Sequence, residues 1–247
     1  MLNIIITAGG TSEKIDSVRK ITNNSSGKLG SIIADTFLNK NDNNIEKIYY
    51  ICPKNAIKPQ FLDNSDKIEL KIIESTDDVY TSLQTLLKEK NIDIVVHSMA
   101  ISDYTLDYVS TCETLAKCLE NKNIEEIENI LNPSLPAIDN QNKISSDKSD
   151  LIIKLKPTKK IISYIKKWSP KTTLVGFKLL AGVSEAQLIS VANKLLAKND
   201  CDYVVANDIK NIDKNGHQAF IIDKHNQITK LETKQEIAEM LCQKLFN

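Results

Sequence analysis

Apolar positions along this chain fall into two rhythms that take turns. Residues 2–7 are a short, mostly apolar, β-rich run that stops at Ala8-Gly9-Gly10, the pattern of a buried strand entering a tight turn. The spacing then changes. Leu29, Ile32, Ile33, Thr36 and Phe37 recur at helical intervals over residues 26–39, and Ser25 or Ser26 is the expected N-cap. Residues 47–52 (KIYYIC) read as a second strand ending before Pro53, and residues 68–73 as a third. A helix is expected over 76–90, with Val79, Leu83, Leu86 and Leu87 on one face, followed by a fourth strand over 93–98 (DIVVHS).

Strands alternating with helices of this length indicate a parallel sheet covered on both faces, joined by right-handed crossovers. The pattern breaks between about 105 and 149. That stretch is polar, contains Pro133 and Pro136, and reads as an exposed excursion with a short helix around Leu115, Leu119 and Ile124. Alternation resumes with a strand over 151–155 and a helix over 159–168. A strand over 173–179, a helix over 184–198 and a strand over 203–206 follow. Residues 217–223 and 227–231 suggest a terminal hairpin, and 234–245 a closing helix. The expected fold class is α/β: a single Rossmann-like domain over 1–247 with a mostly parallel sheet, a flap excursion and a C-terminal β-hairpin.

Ligands on such sheets bind beyond the carboxyl ends of the strands. The expected ends here are Gly9-Gly10, His97-Ser98-Met99, Phe177-Lys178 and Ala206-Asn207-Asp208, all small or polar, as one shared site would require. Four of the seven glycines (Gly9, Gly10, Gly27, Gly30) lie in the first 30 residues. Between them, Asn23-Asn24-Ser25-Ser26-Gly27-Lys28 offers hydroxyls, amides and open backbone N–H groups at a helix start, a ready setting for anionic groups.

Composition narrows the chemistry. The 247 residues carry 32 Lys plus Arg against 32 Asp plus Glu, so no global field recruits nucleic acid or an anionic membrane. No apolar run is long enough to span a bilayer. The N-terminus enters a strand at once, so no signal peptide is expected. Five cysteines without CxxC spacing suggest reduced thiols in a cytoplasmic protein. Three scattered histidines make a protein-only metal site unexpected.

Familiar catalytic motifs fail one by one. A Walker loop would need glycine where Thr22 stands and Ser or Thr where Leu29 stands. The GxGxxG fingerprint and the GxSxG elbow are both missing. Lysines remain as candidates: Lys143 in the excursion, Lys154, Lys156, Lys159 and Lys160 after it, and Lys194 with Lys198, which share a helix face suited to a triphosphate.

Five segments taken together resemble one family, phosphopantothenate–cysteine ligase, in its free-standing form. They are ITAGGTSEKIDSVRKITNNSSGKLG at 6–30, HSMAISDY at 97–104, NKISS at 142–146, LVGFKLL at 174–180 and VVANDI at 204–209. The resemblance implies ligation of 4′-phosphopantothenate to L-cysteine, driven by a nucleoside triphosphate with Mg²⁺ through an acyl-nucleotide, in coenzyme A biosynthesis. It implies that Asn23 meets the acyl-phosphate region. Gly9, Gly10, Thr11, Ser25, Ser26, Gly27 and Lys28, with Met99 and Ala100, would shape the phosphopantothenate pocket. His97, Ser98, Met99, Asp103, Lys159, Lys160, Ile161, Ile162, Phe177, Lys194 and Lys198 would meet the nucleotide, and Lys143, on a mobile flap, the phosphates.

The resemblance further implies a homodimer. HSMAIS replaces the more usual alanine-rich strand end, the Glu-Thr after Phe177 is missing, and only one flap lysine is present. The Ala-Asn-Asp at 206–208 and the lysine pair favour CTP over ATP. The alternative is a Rossmann-like nucleotide-binding or regulatory protein that has lost the ligase chemistry.

Overall fold

The computed structural model describes residues 1–63, 65–131, 138–147, 150–212 and 216–246, with side chains 128–131 left aside. Pro133 and Pro136 lie outside the described residues. In chain order the elements begin with β1 (Leu2–Thr7), β2 (Ser12–Lys14), β3 (Lys20–Thr22), α1 (Lys28–Asn41), β4 (Ile45–Pro53), β5 (Ile68–Ile73), α2 (Thr76–Glu89) and β6 (Ile94–His97). Then come β7 (Tyr104–Ser110), α3 (Cys112–Leu119), α4 (Ile124–Leu131), β8 (Ile152–Pro157), α5 (Ile162–Trp168) and β9 (Thr173–Leu180). The chain closes with α6 (Glu185–Asn199), β10 (Tyr203–Ile212), β11 (His217–Asp223), β12 (Ile228–Leu231) and α7 (Lys234–Phe246).

Two compact units result. The first, the sheet unit, comprises Met1–Thr11, Asn23–Ile101 and Lys160–Asn247, and the second, the ribbon unit, comprises Ser12–Thr22 and Ser102–Lys159. The sheet unit is built on eight strands in the order β12-β11-β10-β9-β6-β1-β4-β5. From β5 to β10 every neighbouring pair is parallel. Counted in chain order, these six strands run 3-2-1-4-5-6, the doubly wound order whose winding reverses beside β1. The terminal hairpin, β11 and β12, adds two antiparallel strands at one edge.

Alternation along β1 shows how the sequence dictates this layering. Ile4 and Ile6 join the core under α1 and α7, while Ile5 joins the opposite core under α2, α5 and α6, all three with no exposed surface. Each such side chain contributes about 2 kcal/mol of burial. Helix α2 is locked at its start by a capping box: the Asp78 N–H donates to Ser75 Oγ, and the Ser75 N–H donates to Asp78 Oδ2.

The ribbon unit departs from the expected pattern. Residues 104–110 form a strand, not part of a loop, and β8 pairs antiparallel with it instead of joining the main sheet. A hydrophobic–polar alternation such as Ile153-Lys154-Leu155-Lys156 states that a strand exists but not which partner it takes. The segment before Asn23 also folds, as the small antiparallel hairpin β2–β3. Strands β9 and β10 outrun their expected ends, so Phe177-Lys178 and Ala206-Asn207-Asp208 lie within strands. The partner β11 supports β10 as far as Ile212 across a bulge.

Candidate active site

At the reversal of winding, β1 passes into Ala8-Gly9-Gly10-Thr11 and β6 into Ser98-Met99-Ala100-Ile101. The two extensions stay paired past the sheet. The Ala100 N–H donates to Gly9 O at 2.9 Å, and the Thr11 N–H donates to Ala100 O at 3.1 Å. Asn23 is laid across them. Its backbone N–H donates to Thr11 O at 3.1 Å, and its Nδ2 donates to Ile101 O at 2.9 Å. Its carbonyl passes so close over Gly10 that a Cβ there would stand 2.0 Å from the oxygen. No side chain fits, which is why glycine is needed at that point. Asn23 is half-buried, and one of its two amide hydrogens is committed to Ile101.

A polar knot holds the end of β6. The Met99 N–H donates to Thr7 Oγ1 at 3.3 Å, and the same hydroxyl shares a hydrogen bond with His97 Nδ1 at 3.0 Å. Burial holds the pKa of His97 down to about 4, so the ring is neutral at physiological pH and offers no cation to a phosphate. The Ser98 hydroxyl donates to Thr7 O at 2.6 Å.

Helix α1 starts one step later than expected. Its N-cap is Gly27 in the left-handed region (φ 76°), and no side chain caps it. Neither Ser25 nor Ser26 fills that role; Ser26 Oγ accepts only a long 3.4 Å bond from the Lys28 N–H. The first-turn N–H groups and the positive end of the helix dipole are therefore open at the carboxyl end of the sheet, with Lys28 exposed beside them. Gly30 brings the helix onto the strand: a Cβ there would stand 2.6 Å from Ala8 Cβ.

The remaining predicted positions divide between places. Gly176, paired with His97, sits where Ile162 and Leu195 converge, its Cβ position being 3.1 Å from Ile162 Cδ1 and 3.5 Å from Leu195 Cδ2. This brings Ile162 to the level of His97, on the sheet face where Ile161 and Met99 share the core covered by α5 and α6, while Lys194, next to Leu195, is exposed. Lys160 precedes that helix start, exposed. Lys198, one turn beyond Lys194, lies toward the amino end of the sheet and complements the dipole of α6 in its last turn. Phe177 faces the other way, half-buried against the α1–α7 core. Asp103, Lys143 and Lys159 are exposed and belong to the ribbon unit.

Sequence reasoning left out Asp208 as a side chain with a task. Its carboxylate accepts the N–H groups of Gly182 (2.9 Å), Val183 (2.7 Å) and Lys210 (2.8 Å), which fixes the loop feeding α6 and holds its pKa below the usual range. The signal was a strand-end Asp following Asn, too common to single out. Asn207 contacts the buried His217 at 3.3 Å. No group of three or more His, Cys, Asp or Glu side chains that could hold a metal occurs among the described residues.

A doubly wound sheet, glycines that let backbone pass at the winding reversal and an uncapped helix start define a Rossmann-like protein suited to phosphate-bearing ligands. The chain belongs to the family described as DNA/pantothenate metabolism flavoprotein C-terminal domain, matching over residues 1–129 and 135–247. It is 31% identical over 240 residues to the coenzyme A biosynthesis bifunctional protein CoaBC of Thermococcus kodakarensis, covering 96% of this chain and 49% of that protein. The chain thus spans about half the length of such curated relatives. The crystal structure of the DNA/pantothenate metabolism flavoprotein from Streptococcus pneumoniae matches with a TM-score of 0.83 at 37% identity, covering 100% of this chain and 99% of that one. A Cab2 mutant in complex with phosphopantothenate-cysteine shares the fold at TM-score 0.69 and 17% identity, covering 99% and 87% of the two chains.

Proposed function

We propose that this chain is a phosphopantothenate–cysteine ligase that activates the carboxylate of 4′-phosphopantothenate with a nucleoside triphosphate and passes the acyl group to L-cysteine. The observation that carries the reading is Asn23, locked over Gly10 and onto Ile101 at the winding reversal, beside an uncapped helix start. The family and its CoaBC relatives support it, as does the Cab2 complex with phosphopantothenate-cysteine.

In the first step a carboxylate oxygen attacks the α-phosphorus, the bond to the β-phosphate oxygen breaks, and pyrophosphate leaves with that electron pair. In the second the cysteine amine attacks the acyl carbon, loses a proton and expels the nucleoside monophosphate, leaving an amide. Neither step needs a protein nucleophile. Both need anionic reactants held in line with their charge offset.

Asn23 supplies its remaining amide hydrogen to the acyl-phosphate region. The first turn of α1 with Ser25, Ser26, Gly27 and Lys28 receives negative charge on the substrate, and Met99 and Ala100 line the same pocket. Ile161, Ile162 and Lys194 are the nucleotide contacts of this reading, and Lys143 offsets phosphate charge. Phe177 and Lys198 are not among them, since they lie on the other sheet face and toward the amino end of the sheet, respectively. Mg²⁺ enters with the triphosphate as part of the substrate, since such ions are held by phosphates plus one or two carboxylates. CTP is the preferred nucleotide and ATP the alternative, and the enzyme works as a homodimer.

Purified protein given phosphopantothenate, cysteine and Mg²⁺ should release pyrophosphate with CTP faster than with ATP. No release with either nucleotide overturns the ligase in favour of a nucleotide-binding protein without this chemistry. Light scattering at the assay concentration reads the dimer.

A further inference from the structure

Within the ribbon unit one carboxylate does far more than close a turn. Asp16 lies in the β2–β3 connection with its side chain wholly out of solvent. Its Oδ1 accepts the N–H groups of Val18 (2.9 Å) and Arg19 (2.7 Å), the ordinary bonds of an Asx-type turn. Its Oδ2 takes three further donors: Arg19 Nε at 2.9 Å, Arg19 Nη2 at 2.5 Å and the Ile144 N–H at 3.1 Å. Arg19 Nη2 in turn donates to Ile144 O at 3.1 Å. The N–H and the C=O of Ile144 are thus both held by a hairpin 125 residues away in sequence. A second tie lies four residues upstream, where Asn140 Nδ2 donates to Ile15 O at 3.1 Å.

An exposed i,i+3 ion pair contributes little. This one differs because a buried carboxylate must have its lone pairs filled, and five donors fill them. The hairpin alone requires only the first two. Of the remaining three, the Ile144 N–H and Arg19 Nη2 hold Ile144, itself 3% exposed and directly after the exposed Lys143, while Arg19 Nε fixes the guanidinium on Asp16. The segment bearing Lys143 is therefore anchored at its root.

We propose that Asp16, with Arg19 as its second arm, is a positioning residue for Lys143: it fixes the backbone from which the lysine ammonium is presented. The inference rests on the ligase reading of Lys143. Holding one end of a long side chain removes freedom that the reaction would otherwise have to restrict, and displacement of a catalytic group by about 1 Å costs roughly 100-fold in rate.

The test uses the full chain and three variants, Asp16→Asn, Lys143→Gln and the pair combined. Asp16→Asn should lower the single-turnover rate of pyrophosphate release, measured with enzyme in excess and without cysteine, by about 10- to 100-fold. The double variant should be no slower than Lys143→Gln alone. An Asp16→Asn loss that persists in full on top of Lys143→Gln overturns the proposal, because the effect then does not pass through the lysine. So does wild-type turnover in Asp16→Asn.

Hydrogen exchange at the Ile144 amide is a second readout that requires no activity. It should be slow in the wild type and fast in Asp16→Asn, and fast exchange in the wild type overturns the clamp. If the wild type releases no pyrophosphate at all, the ligase reading fails and the positioning role with it, while slow Ile144 exchange still identifies the clamp as structural. Should Asp16→Asn not fold, Asn140→Ala loosens the same segment from its other tie. It should give a smaller, several-fold loss that is again absent on the Lys143→Gln background, and an unchanged rate counts against the proposal.

Discussion

The sheet unit and the ribbon unit solve the same problem, presenting polar groups in fixed places, by opposite means. In the sheet unit, position follows from packing. Two apolar layers clamp eight strands, and Asn23 is placed by backbone that glycine lets through at contact distance. In the ribbon unit the strands are short and half-exposed, with Tyr104, Ile153 and Leu155 open to solvent, and position follows from a buried charge, Asp16, with its donors. Packing tolerates loss of charge but not added volume. A hydrogen-bonded carboxylate tolerates loose surroundings but not loss of its charge.

The largest effect should come from the centre of the packed unit. Asn23→Asp keeps the size of the side chain but exchanges a donor for a carboxylate facing Ile101 O at hydrogen-bonding distance and, under the proposed ligase function, the anionic acyl-phosphate. Turnover should fall by about 100- to 1,000-fold, the cost of losing one well-placed donor at a developing charge. Steady-state pyrophosphate release measures it, and activity within a few-fold of wild type would remove Asn23 from the reacting region.

Acid should separate the two units next. Burial holds His97 and His217, both in the sheet unit, at about 4, while in the unfolded chain they titrate near 6.5. As pH falls below 6.5 the unfolded chain takes up protons that the folded chain does not. Stability therefore declines through that window and levels off below about 4, by up to about 3 kcal/mol per histidine. Asp16 behaves in the opposite sense. Arg19 holds its carboxyl well below the usual range, so its contribution is complete above pH 4 and is lost only under stronger acid. The single tryptophan, Trp168, reports on the sheet unit alone. Its urea midpoint should drop between pH 7 and 5, and His97→Asn, which keeps a hydrogen-bonding group for Thr7, should flatten that drop. A midpoint insensitive to pH would show that the histidines are not held neutral.

What was legible in the sequence follows the same division. The apolar runs of β1, β4, β5 and β6 and the stripe of α2 announce themselves because burial on one or two faces leaves periodic traces. The winding order follows once strands alternate with helices. The hairpin β2–β3 left no such trace, since Ser12-Glu13-Lys14 and Lys20-Ile21-Thr22 are three residues each and mostly polar. Their fold depends on what Asp16 bonds to, which is not a property of any window of sequence. Likewise the partner of β8 is decided some 40 residues away, and the helix start at Gly27 by a backbone angle instead of a capping side chain. Asn23 stood out because the surrounding motif resembles a family. Asp16 lay inside the same motif and showed no task until its five donors came together.

Volume tests the packed unit where charge does not. Gly30→Ala places a methyl 2.6 Å from Ala8 Cβ and 3.1 Å from Ser98 Oγ. Overpacking of this kind costs about 2 kcal/mol, or roughly 4–8 °C in Tm for a chain of this size, despite the better helix propensity of alanine. Adding Ala8→Gly should restore most of the loss. If it does not, the strain lies in the backbone of α1 and not in its contact with β1.

The smallest effect belongs to the ribbon. Asp107 on β7 meets Lys154 Nζ at 3.1 Å and Lys156 Nζ at 3.4 Å on β8, and Lys154 holds its carboxyl below the usual range. The arrangement looks like a second clamp, yet all three side chains are partly in water, and Lys156 is 56% exposed. Exposed pairs of this kind return little because solvent already serves each charge and two long side chains must be ordered to meet. Asp107→Asn should therefore lower Tm by less than about 2 °C, and 1 M salt, which screens beyond about 3 Å, should erase even that difference. A loss as large as that of Gly30→Ala would mean that the ribbon, too, is held by its charges, and that Asp16 differs from its neighbours in reach and not in kind.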